Sequence, residues 1–196
     1  MANTPKGVLK GFVAIETPST KFDDAGIYSC QVAFTGESAK AMKKTVDEIM
    51  AGALSSAKRS KRGANPPYTI EGKELVVKFK QKARIKSKAG EVFEKTVKIF
   101  DAKAKPVTEQ LMIGEGTTVI VNYSPYTWDV AALGAGCTLQ LEMVQILDLV
   151  KRSGGGGGNP FDEMEGFTAA KKDANPFEAP EVEEEAADTD DNEGDF

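Results

Sequence analysis

Glu74-Leu75-Val76-Val77-Lys78-Phe79-Lys80-Gln81-Lys82-Ala83-Arg84-Ile85-Lys86-Ser87-Lys88 alternates in character from Val77 onward. Lys78, Lys80, Lys82, Arg84, Lys86 and Lys88 hold every even position, and Leu75, Val77, Phe79 and Ile85 fall on odd ones. Successive side chains of a β-strand point to opposite faces, so one face is apolar and the other carries six cations. Like charges this close repel and weaken the strand unless something anionic relieves them. A merely solvated face intersperses both signs. The stretch predicts a half-buried strand whose outer face meets a polyanion.

Working outward, Val92 to Phe100 pairs back through a loop at Ala89-Gly90-Glu91, where Gly90 takes the left-handed conformation of a three-residue hairpin. With 88 opposite 92, Lys86 meets Glu94, Arg84 meets Thr96, Lys82 meets Lys98 and Lys80 meets Phe100. This keeps Val97 and Ile99 inside with Ala83 and puts Lys98 and Phe100 on the cationic face. Upstream, Val8 to Thr17 alternates Leu9, Val13 and Ile15 against Lys10, Phe12 and Glu16, until Thr17-Pro18-Ser19-Thr20 breaks it. Ile27 to Phe34 is a second strand, with Tyr28, Cys30, Val32 and Phe34 on one face. Residues 37–57 change period: Ala39, Met42, Val46, Ile49, Met50, Ala53 and Leu54 mark an amphipathic helix that Thr35 or Ser38 caps. The basic loop Lys58-Arg59-Ser60-Lys61-Arg62-Gly63 follows, and Asn65-Pro66-Pro67 forbids further helix. Downstream, Pro106 to Ile113 is a short helix or a loop, and Thr117 to Tyr123 is a strand. Tyr123-Ser124-Pro125-Tyr126-Thr127-Trp128 is a polar aromatic loop. Cys137 to Val150 is a last strand, buried on both sides near its end.

About six strands and one helix, without a βαβ rhythm, argue against a parallel sheet. The expected fold is mainly β: an antiparallel, partly closed barrel of the oligonucleotide/oligosaccharide-binding (OB) type with one main α-helix, followed by a disordered C-terminal tail. The domain limits read from composition are a folded domain at 1–153, a glycine linker at 154–158 and an acidic tail at 159–196. So few apolar residues and so much like charge cannot support a core in that tail.

Charge divides at the same place. Residues 1–153 carry 23 Lys+Arg and 16 Asp+Glu, a net of +7; residues 154–196 carry 2 and 14, a net of −12. A basic body with an acidic tail points to nucleic acid as the partner. The chain has no histidine, which removes the commonest general base and metal ligand. Cys30 and Cys137 lie far apart in apolar runs, which suits buried free thiols and no zinc site. No phosphate-binding loop occurs, and the carboxylates concentrate in the tail. No catalytic residues, metal, cofactor or enzymatic activity are expected. The N-terminus lacks the apolar stretch of a signal peptide and no run is long enough to span a bilayer, so no membrane partner is expected.

Cations interleaved with rings are what single-strand binding needs. Lysine and arginine displace counterions from phosphates, and aromatic rings stack on bases at roughly 1–3 kcal/mol each with little sequence preference. The candidate cations are Lys10, Lys58, Arg59, Lys61, Arg62, Lys78, Lys80, Lys82, Arg84, Lys86, Lys88 and Lys98. The candidate rings are Phe12, Phe100, Tyr123, Tyr126 and Trp128; Phe34, Phe79 and Phe93 are read as core. Two other readings stay open: an RNA-binding OB protein, and a scaffold acting through the repeat Asn159-Pro160-Phe161-Asp162 and Asn175-Pro176-Phe177-Glu178.

The layout also resembles a known family. A lysine-rich OB-like core, a final strand Gly136-Cys137-Thr138-Leu139-Gln140-Leu141-Glu142-Met143-Val144-Gln145-Ile146-Leu147-Asp148-Leu149, a glycine linker and an acidic tail ending in Phe196 are similar to bacteriophage single-stranded DNA-binding proteins of the T-odd coliphage type. The resemblance implies sequence-independent coating of single-stranded DNA in replication, recombination and repair in the host cytoplasm. It also implies strand annealing, and tail contacts with the phage DNA polymerase and primase-helicase. The chain departs in placing its helix after the second strand, where the usual OB helix follows the third. From charge, the tail competes with DNA for the cationic groove, and Asp191, Glu193, Asp195 and Phe196 form a hook for another protein. A tail of one subunit on the groove of another would make a homodimer.

Overall fold

Thirteen residues, Gly7–Ser19, form the strand on which the barrel is built, because Leu9, Val13 and Ile15 bury one side of it. The computed structural model describes residues 1–21, 23–58, 63–87 and 90–152. These lie in the first of two compact units, Met1–Gly158; the second is Asn159–Phe196. In chain order the strands are β1 (Ala2–Asn3), β2 (Gly7–Ser19), β3 (Ile27–Phe34), β4 (Tyr68–Glu71), β5 (Glu74–Lys82), β6 (Arg84–Lys86), β7 (Val92–Glu94), β8 (Lys98–Phe100), β9 (Thr118–Val130) and β10 (Gly134–Asp148), with helix α1 (Gly36–Ser56) after β3.

Five strands close a ring in the order β2–β3–β5–β10–β9 and back to β2. Most junctions are antiparallel, but β10 joins β5 in parallel at Leu139 opposite Phe79. The seam between β9 and β2 is two residue pairs, Gly7 with Val119 and Val8 with Thr118. The expected OB-type barrel is present, with the last strand, β10, lying between β5 and β9. Its interior holds Leu9, Ile15, Cys30, Val32, Phe34, Val77, Phe79, Val119, Val121, Tyr123, Leu139 and Leu141. Helix α1 packs Met42, Val46, Met50 and Ala53 against β3, β5, β9 and β10. Thr35 occupies the N-cap position, but its side chain makes no capping bond.

Three boundaries differ from the sequence reading. Pro18 does not end β2, which runs to Ser19 through a register shift between Ala14 and Ser19. A proline, lacking a donor, is tolerated where the ladder is irregular. The aromatic segment 123–128 is not a loop: β9 continues through it to Val130, paired with β10 along its whole length. Finally, β10 is not buried on both sides. A bulge at Glu142, between Leu141 and Met143, moves the inward residues from Leu139 and Leu141 to Val144 and Ile146. One extra residue in a period-two pattern exchanges the faces. No described helix is long and apolar enough to cross a membrane.

Candidate nucleic-acid interface

The alternation read in residues 74–82 holds in β5. Val77, Phe79 and Gln81 are buried while Lys78, Lys80 and Lys82 stand exposed on the outer surface. Across the β3–β5 ladder Gln31 lies opposite Lys78 and Ser29 opposite Lys80. On β2, Gly11 has φ 66°, a conformation that favours glycine. The ladder to β3 is irregular there, between Lys10 and Ala14. Such a bulge re-aims a side chain, and the Phe12 ring stands 63% exposed. Phe12, Ser29, Gln31, Lys78 and Lys80 together line a groove of about 540 Å³.

The other flank of β5 is β10, followed by β9. Because Leu139 pairs with Phe79, the outward residues Thr138 and Gln140 flank the lysine row. Beyond them, Tyr126 lies opposite Thr138 and Trp128 opposite Gly136. Tyr126 is 55% exposed and Trp128 is half-buried, whereas Tyr123, expected as a surface ring, points inward and packs on Phe79 in the core. A Cβ added at Gly136 would sit 2.7 Å from the indole Cζ2 and 3.0 Å from the Ala64 Cβ, so only glycine fits beneath that ring. The Lys58 N–H donates to Asp129 (2.8 Å) and the Ala64 N–H to the Ala135 carbonyl (2.9 Å). Both ends of the basic segment therefore lie at the β9–β10 hairpin; Arg59, Lys61 and Arg62 lie outside the described residues. The outer surface thus runs from Phe12 across the lysines to Tyr126 and Trp128.

The cations are not equivalent. Lys78, Lys80 and Lys86 have no carboxylate partner among the described residues. Lys82 pairs with Asp23 at 3.1 Å. The Ala25 N–H, followed by Lys82, holds the Asp23 carboxyl below its usual range. Arg84 lies 3.3 Å from Glu94. Lys10 reaches Glu71 and Glu74 at 2.8 Å each, which raises its pKa, Glu71 contributing most. It brings no net positive charge to the groove, a balance hidden in the sequence because those carboxylates lie over sixty residues away.

The hairpin register differs from the one expected. Lys86 pairs with Val92, Ile85 with Phe93 and Arg84 with Glu94, two residues from the sequence reading, and the ladder ends where the Lys95 N–H donates to the Ala83 carbonyl (2.7 Å). Lys80 does not meet Phe100, nor Lys82 Lys98. The chain leaves the hairpin and forms β8 beside β10, with Lys98 opposite Met143 and Phe100 opposite Gln145. Val97 and Ile99 thereby pack against the core, which a hairpin projecting into solvent would not allow. Phe100 is half-buried in a separate groove of about 290 Å³ with Ile120, Asn122 and Met143. Phe93, read as core, is 53% exposed, since the hairpin forms its own two-stranded sheet. Lys88 and the tail residues Asp191, Glu193, Asp195 and Phe196 lie outside the described residues.

Ser29 and Gln31 were missed in the sequence, although alternation on β3 places them opposite Cys30. Burial pushes the Cys30 thiol up to about 12 and the Cys137 thiol up to about 11, so neither is a thiolate nucleophile at neutral pH.

Comparison with known proteins bears on this surface. A family model described as "Single-stranded DNA-binding protein, Bacteriophage T7" matches residues 59–149. The single-stranded DNA-binding protein of Enterobacteria phage T3 is 31% identical over 176 residues, covering 78% of this chain and 73% of the relative. That of Escherichia phage T7 is 31% identical over 160 residues, covering 68% of each. The crystal structure of gp2.5, a single-stranded DNA-binding protein encoded by bacteriophage T7, shares the fold at a TM-score of 0.66 and 22% identity, over 86% of this chain and 98% of that one. A single-stranded DNA-binding protein from bacteriophage Enc34, in complex with ssDNA, matches at a TM-score of 0.56 and 12% identity, over 78% and 88%.

Proposed function

We propose, from the premise that this chain belongs to the bacteriophage T7 family of single-stranded DNA-binding proteins, that it coats single-stranded DNA without regard to sequence. Its tail, on this reading, regulates access and recruits partners. The observation that carries the reading is the unpaired Lys78 and Lys80 row, with Phe12 on one flank and Tyr126 and Trp128 on the other. Ammonium groups release counterions from phosphates whatever the bases are, and every base has a face that a ring can cover. Such contacts favour unpaired strands, whose bases are free to stack, over duplex. The protein acts by binding and not by catalysis. Lys58, Arg59, Lys61, Arg62, Lys82, Arg84, Lys86, Lys88, Lys98 and Phe100 extend the contact surface. Coated strands with part of their charge neutralised repel each other less, which supports annealing alongside protection in phage replication, recombination and repair in the host cytoplasm.

Trp128 is the single tryptophan, so one titration tests the reading. Its fluorescence falls as oligo-dT is added, and added salt weakens the binding. Equal or tighter binding to oligo-U would instead make RNA the ligand, and no response to either would leave only a scaffold role.

The tail carries 14 Asp+Glu against 2 Lys+Arg on the same chain as a net +7 body. Tethering gives it a high effective concentration near the lysines, so it competes with DNA. When displaced, Asp191, Glu193, Asp195 and Phe196 are available to the phage DNA polymerase and primase-helicase. Exchange of tails between two subunits would produce a homodimer. Deleting residues 176–196 removes 10 of those acids and raises affinity for oligo-dT at moderate salt; an unchanged affinity would refute the competition.

A further inference from the structure

Several half-buried polar side chains around the barrel make hydrogen bonds within the domain. Glu16 accepts from the backbone N–H groups of Met112 and Ile113, Ser124 donates to Glu142, and Asn122 donates to Asn3. Ser29 and Gln31 are different. Both are half-buried on the outer face of β3, both line the groove that holds Phe12, Lys78 and Lys80, and neither side chain has a hydrogen-bond partner among the described residues. The groove therefore has a ring, two ammonium groups, and a floor with unused donors and acceptors.

The arrangement suits a nucleotide unit. A base lying on Phe12, with its phosphate toward Lys78 or Lys80, directs its hydrogen-bonding edge to that floor. We propose that Gln31 contacts the Watson–Crick edge of a base in this groove and does so for all four bases, which makes it the residue that maintains sequence tolerance. This rests on the single-strand reading above. A carboxamide presents one acceptor and one donor side by side, and rotation about its last torsion exchanges them. Adenine and cytosine each offer an amino donor beside a ring-nitrogen acceptor. Guanine and thymine each offer a carbonyl acceptor beside a ring N–H. One amide therefore makes two hydrogen bonds to any base, where a charged side chain would choose among them.

Replacing the amide by a carboxylate tests this, because a carboxylate only accepts. Guanine alone presents two adjacent donors, N1–H and N2–H. Gln31→Glu should bind d(TG) repeats about tenfold more tightly than d(TC) repeats of equal length, whereas the parent protein binds the two about equally. The added charge, set between Lys10 and Lys78 in the sheet register, lowers both affinities and cancels in the ratio. Gln31→Met keeps the length of the side chain and removes the hydrogen bonds. It should bind both repeats about tenfold more weakly than the parent, with the same salt slope, since no cation is lost. Gln31→Glu without a guanine preference, or Gln31→Met binding as tightly as the parent, overturns the proposal. A parent protein that binds neither repeat refutes the single-strand reading itself, before any variant is made.

Discussion

Replacing both Lys78 and Lys80 by glutamine lowers affinity for oligo-dT by roughly 25-fold at about 0.1 M salt. This follows from two lost phosphate contacts, each contributing about 0.7 to the slope of log K against log salt for single strands. The slope itself falls by about 1.4. These two lysines carry the effect because they alone on β5 are exposed, border the groove and lack a carboxylate partner among the described residues. Lys82 and Lys10, tied to acids, should each change the slope less. The variant should melt no lower than its parent, since the substitutions relieve repulsion on one face of a strand. A salt series with a van't Hoff melt checks both. An unchanged slope would mean that phosphates do not follow β5.

Phe79→Ala is expected to have the largest effect on stability. The ring is fully buried, lies between Cys30 and Leu139 in the sheet register, and is 5.6 Å from the Tyr123 ring at a tilt of 56°. Removing it leaves a cavity where three strands meet, at a cost of about 3–5 kcal/mol. Against a total of about 5–15 kcal/mol for a domain of this kind, that is a large fraction of the fold. Urea denaturation followed by circular dichroism measures it. A loss below about 1 kcal/mol would show that the barrel collapses around the gap.

The two predictions concern neighbouring residues on opposite faces of one strand, and that strand was the most legible part of the sequence. Alternation alone separates Phe79 from Lys78 and Lys80, and the same signal outlined β3 and, at the helical period, α1. Legibility failed where a local pattern meets a distant partner. The carboxylates that balance Lys10 come from β4 and β5, far along the chain. The hairpin ladder stops at Ala83 because Val97 and Ile99 are drawn to the core. Pro125, a turn signal, sits inside β9 opposite Leu139, where the strand's other edge has no ladder partner among the described residues to miss its N–H. Trp128 was chosen as a surface ring on the premise of a loop; its accessibility instead depends on a strand whose facing residue, Gly136, has no side chain.

The seam of the ring has a consequence for how the protein is made. Gly7 and Val8 find Val119 and Thr118 only after more than a hundred further residues have been synthesised. Until then one edge of β2 can pair only with β3, and its other edge is open along the nascent chain. An open strand edge is a template for pairing with another chain. Val8 is itself an exposed apolar residue beside that edge. The barrel thus has a long interval during synthesis in which crowding by its own copies competes with closure.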